Sequence, residues 1–198
     1  MNDLPSERPI IVAIAGPNGA GKSTFYKAFF EEAGLPFVNA DLIARELNVV
    51  DSYEAALQAN LIREEYVSER ESFIFETVLS DPVGEKVDFL RHAVALGYTV
   101  VFCFIGLDAP QTSNQRVAMR TSQGGHDVPE DKIAARYPRS LENLKRAVMG
   151  LPHVYVYDNS SLATPYALVA EYRNGVPVRQ GELPDWFKQL QLPRIGVR

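Results

Sequence analysis

Between Gly16 and Thr24 the chain reads GPNGAGKST, which places three glycines, a lysine and two hydroxyls in one short segment. Gly16, Gly21, Lys22 and Ser23 fall in the spacing G-x-x-x-x-G-K-[ST]. The apolar run IIVAIA ends just before it and the amphipathic stretch FYKAFF follows, so the segment turns from a strand into a helix. In such a turn the backbone of Gly16, Pro17, Asn18, Gly19, Ala20 and Gly21 can point successive N–H groups inward, as an anion nest at the positive end of the next helix. Lys22 then reaches outer phosphates, the hydroxyl of Ser23 is placed to ligate Mg²⁺, and Thr24 follows as the next helical residue. The chemistry expected here is nucleoside triphosphate binding. The spacing does not fit G-x-G-x-x-G, which disfavours a dinucleotide.

What is done with the triphosphate depends on other side chains. A switch or motor ATPase carries an apolar run ending directly in Asp or Asp-Glu. Here VVFCFIGLD interposes Gly106 and Leu107 before Asp108, which better begins a helix with Pro110 in its first turn. Asp41 and Glu76 follow or close two candidate strands, at the sheet edge where ligands of open parallel sheets bind. Asp41 suits a base for an acceptor hydroxyl, with the alternative that it N-caps the helix LIAREL. Glu76, with Thr77 beside it, is expected to place the acceptor or a hydrated metal.

Cations are expected from a later segment. From Gln111 to Arg146 seven Lys/Arg stand against four Asp/Glu, in a chain whose net charge is −5. Arg116 and Arg120 share a helix face, Gly124-Gly125 permits a sharp turn, and Arg136 and Arg139 lie beyond it. Two helices with a flexible tip and inward arginines form a lid over a phosphate site, since the guanidinium fork grips phosphate oxygens. Arg116 is placed with the nucleotide, Arg120 and Arg136 with the moving phosphoryl group. Pro138 is expected to kink or restart the second lid helix, and His126 to serve a loop hydrogen bond.

The elements that position these groups alternate as strand, helix, strand. Candidate strands are 10–15, 36–39, 73–76, 98–105 and 153–157; the stripes Val83, Val87, Leu90, Val94 and Ile133, Tyr137, Leu144, Val148 mark helices. Residues 51–71 read as a solvent-facing helix that forms one wall of a cleft. Asn174-Gly175 between β-prone runs marks a hairpin at about 166–180, and LPDWFKQL a terminal helix over an edge. The expected architecture is a three-layer α/β P-loop fold, with a mostly parallel sheet, helices on both faces and a helical, arginine-bearing lid at about 111–146. Its 198 residues make one domain. Net negative charge argues against nucleic acid or an anionic membrane as partner. One cysteine, Cys103, sits in an apolar run, and no stretch resembles an export signal or membrane span, so a cytoplasmic location is expected.

The ordered set GPNGAGKST, NAD at 39–41, FETVLS at 75–80 and RTSQGGHDVPEDKIAARYPRSLENL at 120–144 resembles the zeta-toxin-like family of P-loop kinases. That resemblance implies ATP as phosphate donor and a sugar hydroxyl of a UDP-amino sugar as acceptor. It implies Lys22 and Ser23 for ATP and Mg²⁺, Asp41 as catalytic base, Glu76 at the acceptor site, and Arg120 and Arg136 as lid arginines. It does not make the chain a toxin, and an antitoxin-like partner cannot be inferred from one chain. Two alternatives stay open: a kinase of nucleosides, nucleotides or other metabolites, and an ATPase switch acting through a protein partner.

Overall fold

Ile10–Ala15 (β1) is buried along its whole length, and its alternate side chains enter two different cores. Ile11, Ala13 and Ala15 join one cluster, Ile10, Val12 and Ile14 the other. A strand that is apolar on both faces lies between two layers of helix. Thr99–Gly106 (β4) divides the same way: Phe102 and Phe104 point to the first cluster, Val101, Cys103 and Ile105 to the second. The computed structural model describes residues 5–48, 51–122 and 128–196, and every statement below is confined to them.

The sheet has seven strands in the order β2-β3-β1-β4-β5-β6-β7. Phe37–Val38 (β2), Phe73–Thr77 (β3), β1, β4 and His153–Asp158 (β5) run parallel; Ala167–Arg173 (β6) and Val176–Gln180 (β7) add antiparallel at one edge. β6 and β7 form the expected hairpin, with Asn174 and Gly175 both at positive φ, 48° and 77°, as a two-residue turn of that twist demands. Because β1 pairs with β3 on one side and β4 on the other, the connections leaving their carboxyl ends part and open a crevice.

The helices are Lys22–Phe29 (α1), Ala40–Glu46 (α2), Ser52–Ser68 (α3), Glu85–Ala95 (α4), Pro110–Ser122 (α5), Glu130–Gly150 (α6) and Asp185–Lys188 (α7). Val87, Leu90 and Ala93 of α4 and Leu144, Ala147 and Val148 of α6 enter the first core; Phe25 of α1 enters the second. None of these helices is long and apolar enough to cross a membrane.

Three expectations require correction. Pro138 neither ends nor restarts a helix, since α6 is continuous from Glu130 to Gly150; its buried stripe Ile133, Tyr137, Leu144 and Val148 holds it to the sheet, and tertiary packing offsets the lost hydrogen bond. Val83 lies before α4 and is 64% exposed. The terminal helix α7 covers a face, not an edge: Trp186 and Phe187 are buried, the Trp186 ring lies 6.2 Å from Phe104 of the interior strand β4, and its Nε1 donates to Asp158 Oδ1 at 3.1 Å.

Candidate active site

Strand register decides which side chains meet. Ile14 is level with Glu76 and Ala15 with Thr77, while Val38 is level with Phe75. The carboxylate of Glu76 therefore emerges beside the turn that begins at Gly16, and Asn39 emerges beside Glu76. Asn39 Nδ2 donates to Glu76 Oε2 at 2.9 Å, Ser23 Oγ donates to the same oxygen at 2.7 Å, and Lys22 Nζ lies 3.7 Å from Glu76 Oε1. Glu76 thus lies with Ser23 and Lys22 at the phosphate loop.

The loop is built by backbone conformations that side chains resist. A Cβ on Gly16 would lie 2.2 Å from the carbonyl oxygen of Ile105. Gly21, at φ 86°, precedes α1, and a Cβ there would meet Asn159 Nδ2 at 2.8 Å and the Tyr166 hydroxyl at 2.9 Å. These two brace the loop: Asn159 Nδ2 donates to Ala20 O at 2.9 Å and the Tyr166 hydroxyl to Gly21 O at 3.0 Å. Ser113 Oγ of α5 donates to Asn18 O, and Lys22 Nζ to Pro17 O at 3.0 Å. The hydroxyl-bearing Ser23 and Thr24 stay exposed.

Asp41 does not cap a helix. Asn39 holds that place, its Oδ1 accepting from the N–H groups of Asp41 at 2.8 Å and Leu42 at 3.2 Å. The exposed Asp41 carboxylate is left to line a cleft of about 380 Å³ together with Asn18, Gly19, Lys22, Asn39, Glu76, Thr77 and Arg136. The structure brings Asp41, Glu76, Lys22 and Arg136 to one volume. Arg116 is elsewhere: it donates to Ser160 O at 3.2 Å, and its Cβ lies against the back of Gly19. Arg139 is exposed and does not line the cleft. Arg120 falls on α5, but its side chain, together with Gly124, Gly125 and His126, lies outside the described residues.

α6 is anchored over the segment that follows β3. Ser140 Oγ donates to Val78 O at 2.7 Å, and Asn143 Nδ2 to Leu79 O at 2.9 Å and Asp81 O at 2.7 Å. These bonds hold buried Leu79 in a left-handed conformation, φ 60°, which costs an L-residue about 1–2 kcal/mol. Tyr137 donates its hydroxyl proton to Leu107 O at 2.7 Å, and burial, with Asp108 and Asp158 adding, pushes the phenol up to about 12. The first turns of α6 are left to carry Lys132 and Arg136 over the cleft. Ser140 and Asn143 lie in RSLENL, which shows no such role until the loop after β3 is laid beneath it.

Arg63 went unanticipated too. It continues the face of α3 marked by Ala55 and Ala59, so a four-residue spacing ending in arginine was the available signal; all three are at most 5% exposed. Its guanidinium lies 5.0 Å above the Phe75 ring and donates to Asn60 Oδ1. As expected, α3 walls the cleft, through Ala56, Ala59, Asn60 and Arg63.

Ser23 Oγ and Glu76 Oε2, 2.7 Å apart at the phosphate loop, are hard oxygen donors of the kind Mg²⁺ takes alongside water and phosphate, and they fit it.

The family model described as Zeta toxin matches residues 47–168, a span that starts after the phosphate loop and Asp41. An uncharacterized protein of Haemophilus influenzae is 26% identical over 126 residues, covering 62% of this chain and 88% of its own. The solved AvrRxo1-ORF1:-ORF2 structure with ATP superposes with a TM-score of 0.70 at 16% identity, over 98% of this chain and 66% of that one, so the chain spans about two thirds of that relative's length. The PezAT chromosomal toxin-antitoxin system of Streptococcus pneumoniae gives a TM-score of 0.56 at 17% identity, over 84% of this chain and 73% of that one. At these identities the superpositions establish a shared fold.

Proposed function

The chain belongs to the Zeta toxin family and has the P-loop kinase fold, and from this premise we propose that it transfers the γ-phosphate of ATP to the hydroxyl of a small polar acceptor. One observation carries the reading: the phosphate loop with Lys22, the exposed carboxylate of Asp41 and the guanidinium of Arg136 line a single cleft.

In that reading the backbone of residues 16–21 and the Lys22 ammonium hold the β- and γ-phosphates. Ser23 and Glu76 would hold Mg²⁺, which would supply neutralisation of phosphate charge. Asp41, exposed at the cleft, orients the acceptor hydroxyl and takes its proton. The acceptor oxygen bonds to the γ-phosphorus as the bond to the β,γ-bridging oxygen breaks, and ADP leaves with that electron pair. Arg136, with Arg120 from α5, stabilises charge on the moving phosphoryl group. Arg116 braces the loop from behind Gly19 on the nucleotide side. Thr77, at the end of β3, contributes a hydroxyl to the acceptor wall. A UDP-amino sugar, which family resemblance suggests, is one acceptor to assay. Kinship with a protein described as a toxin-antitoxin system supports an antitoxin-like partner as the matching proposal for assembly.

The test supplies γ-labelled ATP, Mg²⁺ and a cell metabolite extract to wild type and Asp41→Asn. Label moves to organic products with wild type, and Asp41→Asn lowers the rate by roughly 10²–10⁴-fold with the KM for ATP little changed. Label recovered only as inorganic phosphate would identify an ATPase instead.

A further inference from the structure

Five cations line the cleft, Lys22, Arg63, Lys86, Lys132 and Arg136, against three carboxylates, Asp41, Glu76 and Asp81. In a chain of net charge −5 this is a local reversal of sign. Lys22 and Arg136 have a use on the donor phosphates, and Glu76 stands beside Lys22. Arg63 from α3, Lys86 from α4 and Lys132 from α6 have no such use, and Asp81 is the remaining carboxylate of the lining.

Arg63 is the notable member. It is 5% exposed yet enters none of the ion pairs among the described residues, its contacts being a neutral amide and a ring. Burial pulls its guanidinium down to about 10, with Glu64 only partly compensating, so the free protein carries a charge whose desolvation is unmatched. Lys86 sits in the first turn of α4, where the helix dipole opposes a cation. Burial lowers it, the nearby charge of Arg63 lowers it further, and Glu85, Asp81 and Glu64 oppose this only in part. Two like charges that line one cavity and raise each other's cost are stabilised by an anion between them. Asp81 offsets part of this charge: its Oδ1 accepts from the N–H groups of Gly84 and Glu85, at 2.5 and 2.6 Å, and its buried Oδ2 has no hydrogen-bond partner among the described residues.

The remaining lining limits what the anion is attached to. The described lining residues include no aromatic side chain on which a base could stack, while Asn39, Asn60, Thr77 and Ser80 offer partners for hydroxyls. The volume, about 380 Å³, is at the small end for a ligand pocket, and the donor's terminal phosphate takes part of it.

We propose that the acceptor is a small phosphate monoester bearing a free hydroxyl, a sugar or polyol phosphate and not a nucleotide sugar, and that Arg63 with Lys86 grips its existing phosphate while the hydroxyl faces Asp41. This rests on the kinase reading above and names the acceptor for it. The transfer balances as before: the free hydroxyl becomes a second phosphate ester, its proton passes to Asp41, and the acceptor's first phosphate is unchanged.

The experiment is mass spectrometry of a metabolite extract incubated with enzyme, ATP and Mg²⁺, followed by kinetics on the metabolite that gains phosphate. The expected precursor already carries a phosphate monoester. Arg63→Met then raises the KM for it by roughly 100-fold, Arg63→Lys recovers at least part of that loss, and the KM for ATP stays within a few-fold of wild type. Should the precursor be an uncharged alcohol or a nucleotide sugar, or should Arg63→Met leave the acceptor KM as in wild type, the anion-site proposal is overturned and the kinase reading stands. If no metabolite gains phosphate, the kinase reading falls, and this proposal with it. A variant that loses ATP and acceptor affinity together, and is not rescued by lysine, assigns Arg63 a structural role and also overturns the proposal.

Discussion

Replacing Asn39 by aspartate isolates the contact that holds Glu76 at the phosphate loop. Asn39 is 6% exposed; its Oδ1 accepts from the N–H groups of Asp41 and Leu42, and its Nδ2 donates to Glu76 Oε2 at 2.9 Å. Aspartate caps a helix as well as asparagine, so α2 keeps its cap. What is lost is a hydrogen bond to a carboxylate, about 1.5–3 kcal/mol. What is added is repulsion between two carboxylates about 3 Å apart, roughly 5 kcal/mol at an effective dielectric near 20. The Lys22 ammonium, 3.7 Å from Glu76 Oε1, side-chain rotation and water relieve part of this, leaving an expected destabilisation of about 3 kcal/mol near neutral pH. Asn39→Ser keeps a cap and removes the donor without adding charge, an expected loss of about 1–2 kcal/mol. At about 2–4 °C per kcal/mol for a chain of this size, the aspartate variant melts about 6–12 °C below wild type and the serine variant about half as far below. The pH dependence has a definite sign. Two facing carboxylates bind a proton more readily folded than unfolded, so the folded aspartate variant binds more protons and its stability falls as pH rises from about 5 to about 8. Thermal unfolding of the three proteins without nucleotide, at both pH values, provides the measurement. If aspartate and serine variants melt alike, or if the gap between them does not widen toward high pH, the electrostatic account of this contact is refuted.

Further outcomes are expected at the lid and in the core. Arg136→Ala and Arg120→Ala should each lower kcat by about 100-fold or more if they meet transition-state charge; steady-state kinetics on the identified acceptor checks this, and full activity of both variants would remove the lid from the mechanism. Cys103 is fully buried between sheet and helix, and burial alone pushes its thiol well above the ordinary range, so a thiol reagent at about pH 8 should modify the denatured chain and leave the native one unmodified. Rapid labelling of native protein would show that the second core opens around β4.

Residues 10–30 determined much of this protein by themselves. Apolar alternation on both faces, then a glycine turn, then Lys-Ser at a helix start specify a buried parallel strand with a phosphate loop whatever surrounds them, because the anion nest is made of local backbone. The helices α4 and α6 and the Asn-Gly hairpin were legible for the same reason, since periodicity and turn chemistry are local. Long-range register was not. Sequence spacing placed Asp41 and Glu76 at the correct sheet edge, yet only the pairing of Ile14 with Glu76 and Val38 with Phe75 shows Glu76 bound to Ser23 and Lys22 while Asn39 takes the cap and frees Asp41. Pro138 reads as a break and is carried through by the buried stripe of α6. Arg63 reads as one charge on a solvated helix and lies buried over Phe75. Which face of α3 is covered depends on where α2, β2 and β3 come to rest. A side chain's own sequence neighbours specify its conformation, but its desolvation and its charge partners come from residues distant in the chain, and these only the tertiary structure decided.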